Sequence, residues 1–233
     1  MDAVMQAIAH MKSYFPTKFG IPRQSGLVEA LRSTIIFEPE YRSPDALRGI
    51  EGYSHLWIIW QFSQALRQGW SPTVRPPRLG GNTRMGVFAT RSPFRPNNLG
   101  LSCVRLLGTE ETARYGTVLH VGGADLMDGT PIFDVKPYIP YSDSHPEAVG
   151  GFTDNVGEFL LSVHIPSQLE NKIPDNKLEA LRGVLSHDPR PSYQRDPARI
   201  YGLSFGGNNI RFIVQNSELT VVDVSEEDTT SDD

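Results

Sequence analysis

Between Gly52 and Thr109 the chain carries seven arginines (Arg67, Arg75, Arg78, Arg84, Arg91, Arg95 and Arg105) and no lysine, aspartate or glutamate, although its formal net charge is -5. A guanidinium is a planar fork that pairs bidentately with phosphate or carboxylate. In Arg75-Pro-Pro-Arg-Leu-Gly-Gly-Asn82 and Gly86-Val-Phe-Ala-Thr-Arg-Ser-Pro-Phe-Arg-Pro-Asn97, arginines alternate with proline and glycine. That composition holds the forks on stiff loops that a ligand can approach closely. Scattered surface arginines are mostly solvated or weakly paired. The absence of any counter-charge over this stretch points instead to an anion-binding surface.

A second group is Asp125-Leu-Met-Asp-Gly-Thr-Pro131, followed by Asp134-Val-Lys-Pro-Tyr138. Asp128-Gly129 is a turn signal, so a plain hairpin is one reading. The other is a loop whose carboxylates and backbone oxygens face a cationic ligand, such as a sulfonium or an ammonium. Pro22-Arg23-Gln24 is an extended stretch whose side chains can read a polar ligand edge. His55 opens an apolar run and reads as a core or edge histidine satisfied by the backbone rather than as a catalyst.

Several chemistries lack their residues. No glycine-rich dinucleotide fingerprint follows a strand, and no phosphate-loop lysine motif is present. The six histidines are dispersed without metal-ligand spacing, and no metal is expected. The single cysteine, Cys103, excludes an internal disulfide and sits in an apolar run where a buried, unreactive thiol is expected. The longest apolar run, Leu56-Trp-Ile-Ile-Trp60, is too short to span a bilayer, so the expectation is a soluble cytoplasmic protein without membrane contact.

These groups need a scaffold, and the chain reads as mainly β. Ser33–Glu38, Leu56–Phe62, Met85–Thr90, Gly100–Leu107, Thr117–Val121 and Ile132–Val135 are short β-prone runs separated by Gly, Pro and Asn. Their spacing predicts an N-terminal antiparallel β-barrel over 1–150, with one short helix at Pro44–Gly49 capped by Ser43. Beyond a Gly-rich boundary, 151–224 reads as a smaller α+β domain. Its helix covers Asp175–Leu185 with a capping Asp or Asn in front, and a three-stranded meander follows at Arg199–Phe205, Asn209–Gln215 and Leu219–Val224. Five carboxylates (Glu226, Glu227, Asp228, Asp232, Asp233) without apolar partners make 225–233 a disordered acidic tail. Without them the formal net charge is zero, so overall charge neither demands nor forbids a nucleic-acid partner.

Taken in order, Phe19-Gly-Ile-Pro-Arg-Gln24, Ser54-His-Leu-Trp57, Arg75–Asn82, Gly86–Ser92, Arg95-Pro-Asn97 and Asp125–Tyr138 closely resemble the TsaA-like, or TrmO, family. Asp188-Pro-Arg-Pro-Ser-Tyr193 and the meander resemble that family's smaller C-terminal domain, so the likeness covers nearly the whole chain. The resemblance implies a homodimeric, S-adenosylmethionine-dependent tRNA methyltransferase. Its target is the N6 atom of N6-threonylcarbamoyladenosine at position 37, beside the anticodon. It also implies a β-barrel cofactor domain, in keeping with the missing glycine fingerprint. Cofactor contacts carry over to Pro22, Arg23, Gln24, Ser63, Gln64, Arg91, Leu101, Asp125, Leu126, Met127, Asp128, Gly129 and Thr130. Position 63 is often histidine in relatives and is serine here, and Asn98 replaces the proline of the common Arg-Pro-Asn-Pro pattern.

Methyl transfer from a sulfonium to nitrogen is an in-line displacement, so alignment and exclusion of water are the protein's main tasks. The acceptor nitrogen is conjugated to a carbonyl and must lose its proton, yet the sequence names no base and no catalytic residue. Arg75, Arg78, Arg84, Arg95 and Asn97 are assigned to tRNA and loop structure. Arg91 sits where it can also orient the threonyl carboxylate. An arginine rim with Phe88 and Phe94 nearby suits the splayed bases of an anticodon loop. Two alternatives stand beside this reading. One is a non-catalytic RNA-binding module; the other is a hydrolase of a phosphorylated or carboxylated small molecule.

Overall fold

The computed structural model describes residues 4–66, 69–154, 159–191 and 196–227. Six strands form the larger part: β1 (Ala9–Lys12), β2 (Arg32–Phe37), β3 (His55–Gln61), and, after the two-residue ribbon strands β4 (Thr73–Val74) and β5 (Met85–Gly86), β6 (Leu99–Thr112), β7 (Gly116–Gly122) and β8 (Pro131–Pro137). They pair in the order β1-β2-β7-β6-β3-β8, and β8 returns to β1 through Ala9 opposite Ile132, closing the barrel. Every contact around the ring is antiparallel.

Side-chain alternation decides what the barrel encloses. On β3, Leu56, Ile58 and Trp60 point inward, whereas Trp57 and Ile59 point out, half-exposed. On β6, Gly100, Ser102 and Val104 are inward and Leu101 is outward. The apolar run Leu56–Phe62 is therefore buried on one face, not two. Inside, Met11, Ile35, Leu56, Ile58, Leu119, Val121, Leu126 and Ile132 form the barrel core.

The ribbon differs from expectation. Met85–Thr90 was expected as one strand, but only Met85–Gly86 pairs, and Val87–Ala89 turns as a 3-10 helix. Its partner strand lies between Pro72 and Pro76, which lack the N–H groups needed to lengthen the ladder. Pro44–Leu47 is likewise a 3-10 turn rather than an α-helix, and Ser43 makes no side-chain cap.

A short helix α1 (Pro140–Asp143) follows β8 and lies against the barrel; the smaller part contains the short α2 (Ser167–Glu170), the longer α3 (Asp175–Ser186), and strands β9 (Ser162–His164), β10 (Tyr201–Phe205), β11 (Asn208–Gln215) and β12 (Glu218–Glu226). The sheet has four strands in the order β10-β11-β12-β9, not three, because β9 joins parallel to β12. Pro174, not an Asp or Asn, occupies the N-cap of α3, and Asp175 lies in its first turn, where a carboxylate favours the helix dipole. β12 runs through Glu226, with Ser225 opposite Asn209 and Glu226 opposite Asn208. Pairing thus extends into the segment expected to be tail; residues 228–233 lie outside the described ones.

The two halves share chain. Phe15, Val28 and Leu31, from the segment between β1 and β2, belong to the core built by α3, β10, β11 and β12. Phe15 meets Phe205 edge-on at 5.5 Å, and Gly206 N–H donates to Tyr14 O at 2.8 Å. Burying such side chains is worth roughly 1.5–3 kcal/mol each. No helix among the described residues is long and apolar enough to cross a membrane.

Candidate functional site

Between Phe15 and Val28 of the second core, the segment from β1 to β2 touches the barrel at Gly26, whose N–H donates to Gly123 O at 2.9 Å. Gly123 N–H in turn donates to Leu31 O at 3.1 Å. Gly123 has φ +72°, and a Cβ there would lie 3.3 Å from Gly26 backbone, so glycine allows both the turn and the close approach. This stitch brings Pro22–Ser25 beside the loop that leaves β7.

Asp125 is the centre of the resulting cluster. Ser102 Oγ–H donates to Asp125 Oδ1 at 2.6 Å, and Ser102 accepts the Trp60 indole N–H at 2.9 Å. Ser102 is 1% exposed, so this chain of bonds runs from the barrel core outward. It exists because Gly100 leaves room: a Cβ at that position would sit 2.2 Å from the Trp60 ring. Burial pushes the Asp125 carboxyl above the ordinary carboxylate range, opposed by the Ser102 hydroxyl, the backbone N–H groups of Asp125 and Ser25, and the charge of Arg91. Arg91 Nη1 donates to Gln24 Oε1, and Gln24 Nε2 to Arg23 O. Gln24, Ser25, Arg91, Ser102 and Asp125 thus form one constellation from four separate stretches of chain.

Sequence reasoning missed Ser102 and Ser25. Ser102 had a signal, since it is the lone hydroxyl at an inward parity of the Leu99–Leu107 run. For Ser25, whose backbone is the contributing group, side-chain identity carries no signal.

Other expected cofactor residues fall elsewhere. Asp128 does not face Asp125: its Oδ1 accepts Ser13 N–H at 2.8 Å and its Oδ2 accepts from Lys12 Nζ at 3.2 Å. Leu126 is buried in the barrel core, and the buried Thr130 hydroxyl donates to Met127 O at 2.7 Å. Exposed Gly129 donates its N–H to Met11 O at 2.8 Å. Pro22 is buried and Arg23 exposed. Ser63 and Gln64 form a 3-10 turn after β3, steadied by Phe62, whose N–H donates to Asn98 O at 2.8 Å and whose ring packs on Trp60 at 4.2 Å.

Leu101 is 57% exposed on the outer barrel face. The pleat sends it away from Ser102, so the chain does not bring it to Asp125. It lines a shallow hollow of about 380 Å³ with Trp57, Ile59, Lys136, Asp143 and His145. There the Trp57 indole donates to Asp143 Oδ2 at 3.0 Å; this bond, behind that from Ile139 N–H, helps hold the Asp143 carboxyl below its usual range. Cys103 follows on the same outer face, half-buried, its thiol raised by burial and by Asp143, as suits an unreactive cysteine. His55 is exposed, with Nδ1 at 2.9 Å from the Ser54 hydroxyl rather than a backbone group.

Among the arginines, Arg75 and Arg84 are exposed, and Arg84 Nη1 reaches the Thr73 hydroxyl at 3.3 Å. Half-buried Arg95 donates to Thr90 O at 3.0 Å, and exposed Asn97 accepts the Leu99 N–H through its carbonyl. Both shape the loop. The Asn98 side chain donates to Pro93 O at 2.6 Å, closing the loop. Arg67 and the side chain of Arg78 lie outside the described residues.

Comparison with known proteins places this geometry in context. The TrmO N-terminal domain, described as a tRNA-methyltransferase O domain, matches residues 10–144, and the TrmO C-terminal domain matches 159–227. The tRNA (adenine(37)-N6)-methyltransferase of Escherichia coli K12 is 39% identical over 227 residues, covering 93% of this chain and 95% of that protein. A Pseudomonas aeruginosa protein named as an S-adenosylmethionine-dependent methyltransferase, RcsF, is 38% identical over 234 residues, 97% of this chain and 99% of that protein. The crystal structure of TrmO from P. aeruginosa superposes with a TM-score of 0.79 at 32% identity, covering 97% of this chain and 98% of that one. With both domains matched and relatives aligned over nearly their full length, the chain belongs to the tRNA-methyltransferase O family.

Proposed function

We propose that this protein transfers a methyl group from S-adenosylmethionine to N6 of N6-threonylcarbamoyladenosine at position 37 of tRNA. The observation that carries the reading is the Gln24–Arg91–Asp125 constellation, assembled by the fold from distant motifs and bordered by an arginine stretch without acids. The residues present suit the cofactor. A partly buried carboxylate is completed by a cation, and Asp125 would hold the ammonium or sulfonium side. Arg91 is suited to a carboxylate, and the Gln24 amide to a base edge. When bound, the cofactor supplies an electrophilic methyl group.

The chain's own contribution is positional. Ser102, fixed by Trp60, sets the rotamer of Asp125, and the Gly26–Gly123 stitch sets the distance between the Pro22–Ser25 arm and the loop that carries Asp125. Such pre-set geometry is how a displacement with little covalent chemistry from the protein is accelerated. Arg91, exposed yet held by Gln24, can also meet the threonyl carboxylate of the target nucleoside. Exposed Arg75 and Arg84 supply contacts for phosphates of the anticodon loop.

A homodimer in the cytoplasm completes the reading. Leu101 and Asp125 lie on opposite sides of the barrel wall, so a pocket using both needs a second copy to bring its outer face to the first. Trp57, Ile59 and Leu101 give that face an apolar surface of the kind subunits cover.

The decisive experiment is nucleoside mass spectrometry of tRNA from a strain lacking this gene. Loss of the methylated threonylcarbamoyladenosine, restored by the cloned gene, is the expected result. Its retention at normal levels overturns the substrate assignment.

A further inference from the structure

Among the exposed aromatic side chains inside the arginine stretch, Trp70 and Phe88 stand together as a pair. Trp70 is 54% and Phe88 is 70% exposed, with ring centroids 6.0 Å apart and planes inclined by 33°. Single exposed hydrophobics are ordinary, but a paired set held outward calls for a partner. The backbone beneath Phe88 is pinned. Val87 is 1% exposed and donates its N–H to Pro72 O at 2.9 Å, and both the N–H and the hydroxyl of Thr90 donate to Val87 O, at 3.2 and 2.9 Å. Thr73 pairs with Gly86, so β4 and β5 bring together the segments carrying the two aromatic residues, one just before β4 and one just after β5, at the same end of the short ribbon. Its chemistry is one-sided, since exposed Arg75 and Arg84 flank it and no carboxylate occurs from Gly52 to Thr109.

Charge decides what this surface fits. A second copy docking the same face would set arginine against arginine. An unpaired nucleic-acid segment offers a π-face on every base and a phosphate beside it, which is the complement of an aromatic pair rimmed by guanidinium. Arg91, three residues after Phe88, connects the ribbon to the Gln24–Asp125 site. We propose that Trp70 and Phe88 form a stacking platform for an unpaired base neighbouring the one that is methylated. This rests on the reading of the protein as a tRNA methyltransferase, and assigns it two positioning residues for RNA.

The test uses the full chain and an anticodon stem-loop RNA. Of the three tryptophans, Trp57, Trp60 and Trp70, only Trp70 lies beside the ribbon, so RNA should quench its fluorescence, and Trp70→Phe should bind RNA without that quenching. Trp70→Ala and Phe88→Ala should weaken RNA binding roughly 5- to 100-fold, and Phe88→Tyr should restore it. S-adenosylmethionine affinity, measured calorimetrically, should stay within twofold of the parent in all of them, which also certifies the fold. The slope of affinity against salt should be unchanged in the aromatic variants and reduced in Arg75→Ala. RNA binding within twofold of the parent in both alanine variants, or unquenched parent fluorescence at saturation, overturns the platform while leaving the enzyme reading intact. Loss of dimer in sedimentation by Trp70→Ala assigns the pair to a protein interface and overturns it too. A parent chain that binds no RNA defeats both proposals.

Discussion

Asp125 combines two demands that pull against each other. Its carboxyl is raised by burial, so the folded chain binds its proton more tightly than the unfolded chain does. Stability therefore falls as pH rises from the ordinary carboxylate range through the raised value, and the lost contribution stays lost above it. Asp125→Asn keeps an oxygen for the Ser102 hydroxyl and removes the charge. That variant should melt no lower than the parent at neutral pH, and its melting temperature should lack the parent's decline across that window. Its affinity for S-adenosylmethionine should drop about tenfold or more, the loss expected for a charge-assisted contact. A lowered melting temperature with unchanged affinity would make Asp125 structural. Arg91→Ala removes the Gln24 contact from an exposed side chain, so it should reduce kcat/KM for tRNA methylation about 10- to 100-fold without changing the circular dichroism melt. Methylation at the parent rate would remove Arg91 from the site. Arg91, Gln24 and Asp125 were legible because their motifs stand in polar loops. Asp128 stands in an equally polar turn, and the structure sets its carboxylate on Lys12 and the Ser13 backbone; a carboxylate in a turn looks alike in sequence whichever group it meets.

At the scale of elements, the barrel wall is organised by the contact between β3 and β6, where Trp60 lies over Gly100. Gly100→Ala forces the indole away and disturbs its bond to Ser102. Overpacking of this kind costs about 1–3 kcal/mol. Differential scanning calorimetry should show a lower melting temperature, with cofactor affinity falling in parallel because the Trp60–Ser102–Asp125 chain moves as a unit. A variant as stable as the parent would mean that the wall yields freely. The strands that were legible, β2, β3, β6, β7 and β8, carry enough β-branched or alternating residues to declare themselves, and α3 declares itself through Leu178, Leu181, Val184 and Leu185. Short β1 and β9 do not, because so few residues carry no period and their pairing is decided by partners far away in sequence. The ribbon fell short for a related cause, its prolines ending the ladder before β-propensity could extend it.

For the molecule as a whole, a division near residue 150, drawn along the chain, is not followed by the packing in space. Phe15, Val28 and Leu31 belong to the first half in sequence and to the second core in packing. A fragment ending at residue 150 exposes all three, at roughly 1.5–3 kcal/mol each, against a total stability of about 5–15 kcal/mol for a domain. It should aggregate or unfold without a cooperative transition, and it should bind S-adenosylmethionine far more weakly than the full chain. A monodisperse fragment with a sharp melt and full affinity would show that the barrel stands alone. Val28 and Leu31 are apolar and so suit a core, but nothing local says which of two cores receives them.

The arm carrying Pro22–Ser25 is fastened at Phe15 and Val28 into a core that also needs Leu219, Val221 and Val224 from the final strand. On the ribosome, the first thirty or so residues emerge early, yet their anchorage is finished only when β12 has left the exit tunnel. The pocket is thus among the last parts of the protein to take shape during synthesis. A nascent chain interrupted before β12 leaves its ligand arm without the core that anchors it, so truncated translation products are not expected to compete for RNA as working enzymes.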